Sequence, residues 1–285
     1  MVLAVILSGV GPVLVRGSPV DPAATAFWRL FVGLPIALFL IRRSVLLPMR
    51  AMVWAAIGGL MLSGDLIFWN SALIRTTILE ATVLVMVYPV IAALANFLLF
   101  KERITLRLAA GGGIAFLGLL LMVAPASDAT TGGIQGSDLK GDLMAIAAAF
   151  FYAGSLLISA RLCRIYDTQI VSFWLIFWAS VGAAPFGLME QRSFPITSHD
   201  WIYIVGYALI TLASYNLFNR GLKTVPTGIA SLMGYGQPVV ASLLGFFFLG
   251  EIPTWNGILG SVVIVIGLVL ATRQPRSTPP PVPAQ

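Results

Sequence analysis

The chain has 285 residues, 59% of them hydrophobic and only 10% charged, with a mean hydropathy of +0.95 and a formal net charge of +6. A soluble globular domain carries roughly 25% charged residues, so this composition points away from a soluble enzyme or binding module and toward a polytopic membrane protein. The basic residues fall between apolar runs and form no clustered face, which assigns them to membrane topology and argues against a nucleic-acid partner.

A helix needs about 20 apolar residues to cross the ~30 Å hydrocarbon layer. Ten such runs are expected: 2–16, 22–41, 51–73, 79–100, 107–124, 142–160, 169–189, 200–219, 227–249 and 255–272. The first lacks a basic leader and an A-x-A-like cleavage site, so it reads as a retained span. The second carries Arg29 and the third carries Asp65, Trp69 and Asn70. The fourth holds Tyr88, Pro89 and Asn96, and the fifth is marked by Gly111 and Gly118. A polar linker over 128–141 then divides the chain into a first unit, 1–127, and a second, 142–273. Tyr152 lies in the sixth span, Tyr207, Tyr215 and Asn219 in the eighth, and Tyr235, Gln237 and Pro238 in the ninth, within "LMGYGQP". Gly260 and Gly267 mark the tenth. The tail, 274–285, is rich in proline and polar residues and is expected to be a disordered cytoplasmic segment. Cys163 is the single cysteine, and neither a His/Cys cluster nor any other motif calls for a metal or cofactor.

Orientation follows the lysines and arginines. With both termini in the cytoplasm, twelve of the seventeen basic residues face inward, four face outward, and Arg29 lies within a span. The opposite orientation reverses that balance. The chain also repeats itself: at an offset of 149, residues 72–121 match 221–270 without gaps at thirteen of fifty positions. "YPVIAALANFLLFKERIT" is echoed by "QPVVASLLGFFFLGEIPT", with the proline, the glutamate and the threonine kept and the basic residues lost. Five spans per unit is an odd number, so the second copy enters the bilayer upside down and its hairpin faces outward, where positive charge is disfavoured. The expected fold is therefore an all-α integral membrane protein of ten transmembrane helices, built as two inverted-topology five-helix repeats, N-in and C-in. Such repeats are characteristic of secondary transporters, with the binding site between them.

The pattern P-x(7)-F-x(4)-E-x-x-T, followed by a helix with glycines seven apart, occurs at Pro89–Gly118 and again at Pro238–Gly267. It resembles the EamA repeat of the drug/metabolite transporter superfamily, and within it the chain is most similar to YddG-type amino-acid exporters of bacterial inner membranes. The resemblance covers nearly the whole chain. It implies export of a small metabolite, foremost an aromatic or other neutral amino acid, by alternating access through a central cavity. Lys101 and Leu175 depart from the family pattern without threatening the fold.

Ionisable groups inside spans are costly and mark functional sites. Arg29 and Asp65 lie about 10 and about 12 Å below the outer ends of their helices at 1.5 Å per residue, hence at similar depth. They are candidates to meet the carboxylate and ammonium of an amino acid, against the alternatives of a structural ion pair or a snorkelling arginine. Trp69, Asn70, Tyr88, Asn96, Tyr152, Tyr215, Tyr235 and Gln237 are the polar and aromatic candidates for the cavity wall. Pro89 and Pro238, at equivalent mid-span positions, are candidate hinges or static kinks. The glycine-bearing fifth and tenth spans read as peripheral packing helices or a dimer contact, leaving a monomer or a weak dimer. An integral membrane enzyme would need a convergent nucleophile, base or metal set, and the sequence offers neither H-E-x-x-H nor G-x-S-x-G. Asp65 among aromatics would equally suit an organic cation, which stands as the alternative cargo.

Overall fold

The computed structural model describes residues 1–41, 45–75, 78–100, 105–123, 138–249 and 254–272. The expectations for Arg42, Arg43, Lys101, Glu102, Arg103, Glu251, most of the 128–141 linker and the tail fall outside these residues. Among the described residues every regular element is helical. Seven segments among the described residues are long and apolar enough to cross a bilayer, and Val2–Arg16 and Leu106–Met122 are shorter apolar helices.

Several helices are interrupted, and the interruptions follow proline. The first apolar run divides into α1 (Val2–Gly9) and α2 (Gly11–Arg16) at Val10, with Pro12 in the first turn of α2. The second divides into α3 (Pro22–Phe31) and α4 (Gly33–Leu40) at Val32, two residues before Leu34-Pro35 closes the new turn. After the unbroken α5 (Met49–Arg75) come α6 (Ile78–Val85) and α7 (Tyr88–Phe100), separated by a turn at 86–87. Pro89 is therefore the second residue of α7, where a missing N–H costs nothing because the first helical N–H groups have no partner anyway. α8 (Leu106–Val123), α9 (Leu139–Ile165), α10 (Thr168–Met189) and α11 (Ser198–Leu222) follow. Then α12 (Thr227–Leu232) passes through a short 3-10 turn, Met233–Tyr235, into α13 (Gly236–Leu249), and α14 (Trp255–Thr272) ends the fold. Pro238 is the third residue of α13. Both candidate hinge prolines thus sit just past a break, in the first turn of a new helix, and neither kinks a continuous helix. Pro185, by contrast, lies inside the unbroken α10.

Capping explains the repeated threonine. Thr105 Oγ1 accepts from Leu108 N at 3.3 Å and Thr254 Oγ1 accepts from Gly257 N at 3.1 Å, so each threonine satisfies a free N–H at the start of α8 or α14. The glycines that follow serve a contact between these same two helices. A Cβ on Gly111 would lie 2.7 Å from Gly267 O, and one on Gly260 would lie 2.5 Å from Gly118 O. The partners run in opposite order along the two helices, so α8 and α14 are antiparallel. The glycines expected to mediate peripheral packing are used on each other within one chain. α5 packs against α9 and α10 at the centre, where Gly59 leaves no room for a side chain beside Leu175 O and Trp178.

Overfilling such a contact typically costs about 1–3 kcal/mol. Gly267→Val, whose Cβ alone would stand 2.5 Å from Ala115 N, is expected to lower the detergent-solubilised Tm clearly, whereas Gly113→Ala, with nothing within 4 Å, leaves it unchanged or slightly raised. Thermal unfolding of both variants checks this.

Candidate substrate cavity

A cavity of about 1020 Å³, its open mouth included, lies among the interrupted helices. From the first half it is lined by Ser8, Gly11 and Pro12 of the first broken helix, by Arg29 of α3, by Asp65 and Trp69 of α5, and by Thr82, Val85, Met86 and Tyr88 at the α6–α7 break. From the second half come Tyr152 of α9, Tyr207, Thr211, Ser214, Tyr215 and Phe218 of α11, and Gln237 of α13. The α11 residues recur at helical spacing and make one face of that helix the cavity wall.

Arg29 is 5% exposed despite its charge. One terminal nitrogen, Nη1, donates to Tyr207 Oη, and the guanidinium carbon stands 4.7 Å from the centroid of the same ring. Tyr207 thus holds the cation both by its hydroxyl and by its π face. The remaining nitrogens, Nε and Nη2, are buried without a hydrogen-bond partner. They form one edge of the guanidinium, the fork that matches a carboxylate in two parallel bonds. Asp65 is 7% exposed and lies close enough to Arg29 to feel its charge. It nevertheless forms no ion pair with it within 4.0 Å. An arginine and a carboxyl group therefore share one largely buried space without a direct ion pair, an arrangement that is costly for a charged group unless a further partner completes it.

The structure brings together on the cavity Arg29, Asp65, Trp69, Tyr88, Tyr152, Tyr215 and Gln237. It does not bring Asn70, Asn96 or Tyr235 there. Asn70 is fully buried and its Nδ2 donates to Pro22 O at 2.8 Å, tying α5 to the first turn of α3. Asn96 is buried two turns beyond the break in α7. Tyr235 is fully buried in the 3-10 turn, its ring 6.4 Å from that of Phe116. Tyr207, noted from the sequence among the polar and aromatic residues of the eighth span, also lines the cavity, and the hydroxyls of Ser8, Thr211 and Ser214 are cavity residues not singled out from the sequence; Ser8 and Ser214 meet at 2.6 Å across α1 and α11. The period of α11 was the available signal. Among the described residues no three His, Cys, Asp or Glu side chains converge as a metal site.

The helix bearing Arg29 is anchored by a clasp at its start. Glu190, capping the end of α10, accepts from Ala24 N at 2.7 Å and so covers the exposed N–H groups of α3. Asp21 and Arg192 exchange backbone and side-chain bonds at 3.1 and 3.0 Å, and Trp28 Nε1 donates to Ser193 O at 2.6 Å.

The family is settled by comparison with known proteins. The EamA-like transporter family model matches residues 1–124 and 139–273. The chain belongs to the EamA-like transporter family. An uncharacterized transporter of Archaeoglobus fulgidus is 26% identical over 275 residues, 96% of this chain and 95% of that protein. Solute carrier family 35 member G1 of Mus musculus is 24% identical over 222 residues, 72% of this chain and 60% of its own. The pseudopaline exporter CntI of Pseudomonas aeruginosa is 23% identical over 254 residues, covering 88% and 87% of the two chains. A solved crystal structure superposes with a TM-score of 0.75 at 23% identity over 95% of this chain and 94% of its own, which establishes a shared fold. This EamA-like protein is thus a multi-pass membrane transporter. The names of these relatives lend no support to the finer YddG-type, amino-acid-exporting subtype.

In this transporter the clasp is separable from the cavity by mutation. Burial raises the Glu190 carboxyl above its ordinary value of 4.5, against the pull of the Ala24 and Ala23 N–H groups. A folded pKa above the unfolded one means that Glu190 contributes most when protonated, and that its contribution declines as pH rises through the folded pKa. Glu190→Gln, which keeps an acceptor and loses the charge, is expected to hold or raise Tm and to flatten its pH dependence above about 4.5. Glu190→Ala should lose most at low pH, roughly 0.5–2 kcal/mol as for a deleted helix cap, and less as the pH rises. Tm measured against pH for both variants is the check.

Proposed function

We propose that this protein exports small metabolites, foremost aromatic and other neutral amino acids, across a bacterial inner membrane by alternating access. The observation that carries the substrate reading is the unpaired placement of Arg29 and Asp65 on one aromatic-walled cavity. A zwitterionic amino acid supplies both missing partners at once: its carboxylate meets the Nε–Nη2 edge of Arg29, its ammonium meets Asp65, and its side chain lies among Trp69, Tyr152 and Tyr215. Neither charge then remains uncompensated in a low-dielectric site.

The transport reading has its own support. The cavity draws residues from both family-matched segments, 1–124 and 139–273. The α8–α14 contact is reciprocal under the 149-residue offset: Gly111 meets Gly267, and their counterparts Gly260 and Gly118 meet in turn. Antiparallel helices related in this way are what two inverted units, 1–127 and 142–273, would present to each other. Ten spans with both termini cytoplasmic accord with this arrangement and with the inward bias of basic residues.

Asp65 on a cavity shared with Trp69, Tyr152 and Tyr215 favours the second reading, an exporter of organic cations or drugs. Uptake into proteoliposomes separates the two. Neutral amino acids should counterflow, while their amides, lacking the carboxylate, and their decarboxylated amines should not. Arg29→Gln and Asp65→Asn should each reduce amino-acid uptake at least tenfold, the scale of about 1.4 kcal/mol that a lost charge-assisted bond exceeds. Uptake of amines or quaternary cations that survives Arg29→Gln and is lost in Asp65→Asn would install the cation reading in its place.

A further inference from the structure

Tyr88 and Gln237 hold the same place in the two halves. Each immediately precedes the proline of a broken helix, and the offset of 149 that relates them also relates Thr82 to Ser231 and Val85 to Gly234. The structure treats the two members of this set differently. Tyr88 Oη donates to Ser231 O at 2.9 Å, joining the start of α7 to the end of α12. Gly234 is required for that approach, because a Cβ there would collide with the Tyr88 hydroxyl. On the other side no hydrogen bond joins Gln237 to Thr82 among the described residues; Gln237, Thr82 and Val85 all face the cavity instead.

We propose that Tyr88 and Gln237 are paired positioning residues of the translocation step, acting as alternative latches between the two broken helices. In the state described here Tyr88 is latched on Ser231, and Gln237 and Thr82 both line the cavity without a hydrogen bond to each other. In the state open to the opposite face, Tyr88 leaves Ser231 and the Gln237 amide donates to Thr82 O. Pseudo-symmetric halves that adopt two different conformations exchange them when access alternates, so a contact closed in one half is the template for the contact that closes in the other. The exchange trades one hydrogen bond for another and keeps the two states close in energy, as a reversible carrier requires. It also reaches the cargo: the Tyr88 ring lines the cavity and stands edge-on to Tyr152 at 4.5 Å, so a molecule seated there bears on the latch. This inference rests on the alternating-access reading above, and is independent of which metabolite is carried.

The test reads access from each face directly. Ile210, a cavity residue, is replaced by cysteine in a Cys163→Ala background, and labelling by a membrane-impermeant maleimide is compared in right-side-out and inverted vesicles. Tyr88→Phe keeps the ring and loses the latch; it should shift the ratio of labelling between faces at least threefold. Gly234→Ala, which pushes the hydroxyl off Ser231, should shift it the same way. Gln237→Met, which removes the other donor, should shift it in the opposite direction. An unchanged ratio in Tyr88→Phe, or a shift of the same sign in Gln237→Met, overturns the latch while labelling from both faces leaves alternating access standing. Labelling from a single face in every variant brings down the alternating-access reading, and the latch with it. Should Gly234→Ala not fold, the opposed pair Tyr88→Phe and Gln237→Met still decides the matter.

Discussion

Inside a hydrocarbon layer a backbone N–H or C=O has no water to turn to, and each one left unpaired costs several kcal/mol on the order expected for apolar media. That constraint shapes the whole molecule. It accounts for the helical character of the described elements, and it dictates where a helix is allowed to stop. Breaks occur at Val10, Val32, 86–87 and Met233–Tyr235, each with a proline in the turn that follows. Three of these breaks, near Pro12, Pro89 and Pro238, adjoin residues that line the cavity. The cavity and the interruptions therefore coincide in space, the break residues supplying part of its wall.

The same reasoning applies to charge. An arginine buried in such a setting must be held, and Tyr207 holds it through one nitrogen and the ring face while leaving the other edge free. The scaffold behind it is stiff. α3 is clasped by Glu190 and Ser193 from the end of α10 and pinned by Asn70 from α5, so the guanidinium is presented from a fixed helix with little freedom to snorkel. Under the proposed function, the anchored helix would serve to recognise a solute and the interrupted helices to move it.

Much of the helical plan was legible in advance, for a simple reason: a long apolar run bounded by charge has few other folds open to it in a membrane. The run expected over 255–272 is α14, residue for residue, and the repeated threonines and glycines occupy equivalent caps and contacts in α8 and α14. These motifs act locally or between identical partners, so their meaning survives translation into one dimension. Arg29 and Asp65 stood out because nothing apolar explains them.

Which polar residues face the cavity was decided only in three dimensions. Asn70 and Gln237 look alike as amides within spans, yet one ties two helices together and the other faces open space, because the neighbour each meets comes from a distant part of the chain. Tyr235 turned inward and Tyr207 became the partner of Arg29 for the same reason. The sequence by itself determined that the chain would be helical, membrane-embedded and internally repeated, since hydrophobic length and local capping carry that information. Tertiary packing alone decided that Arg29 and Asp65 would share a cavity without touching, because the separation of two side chains on different helices depends on every contact that sets those helices apart.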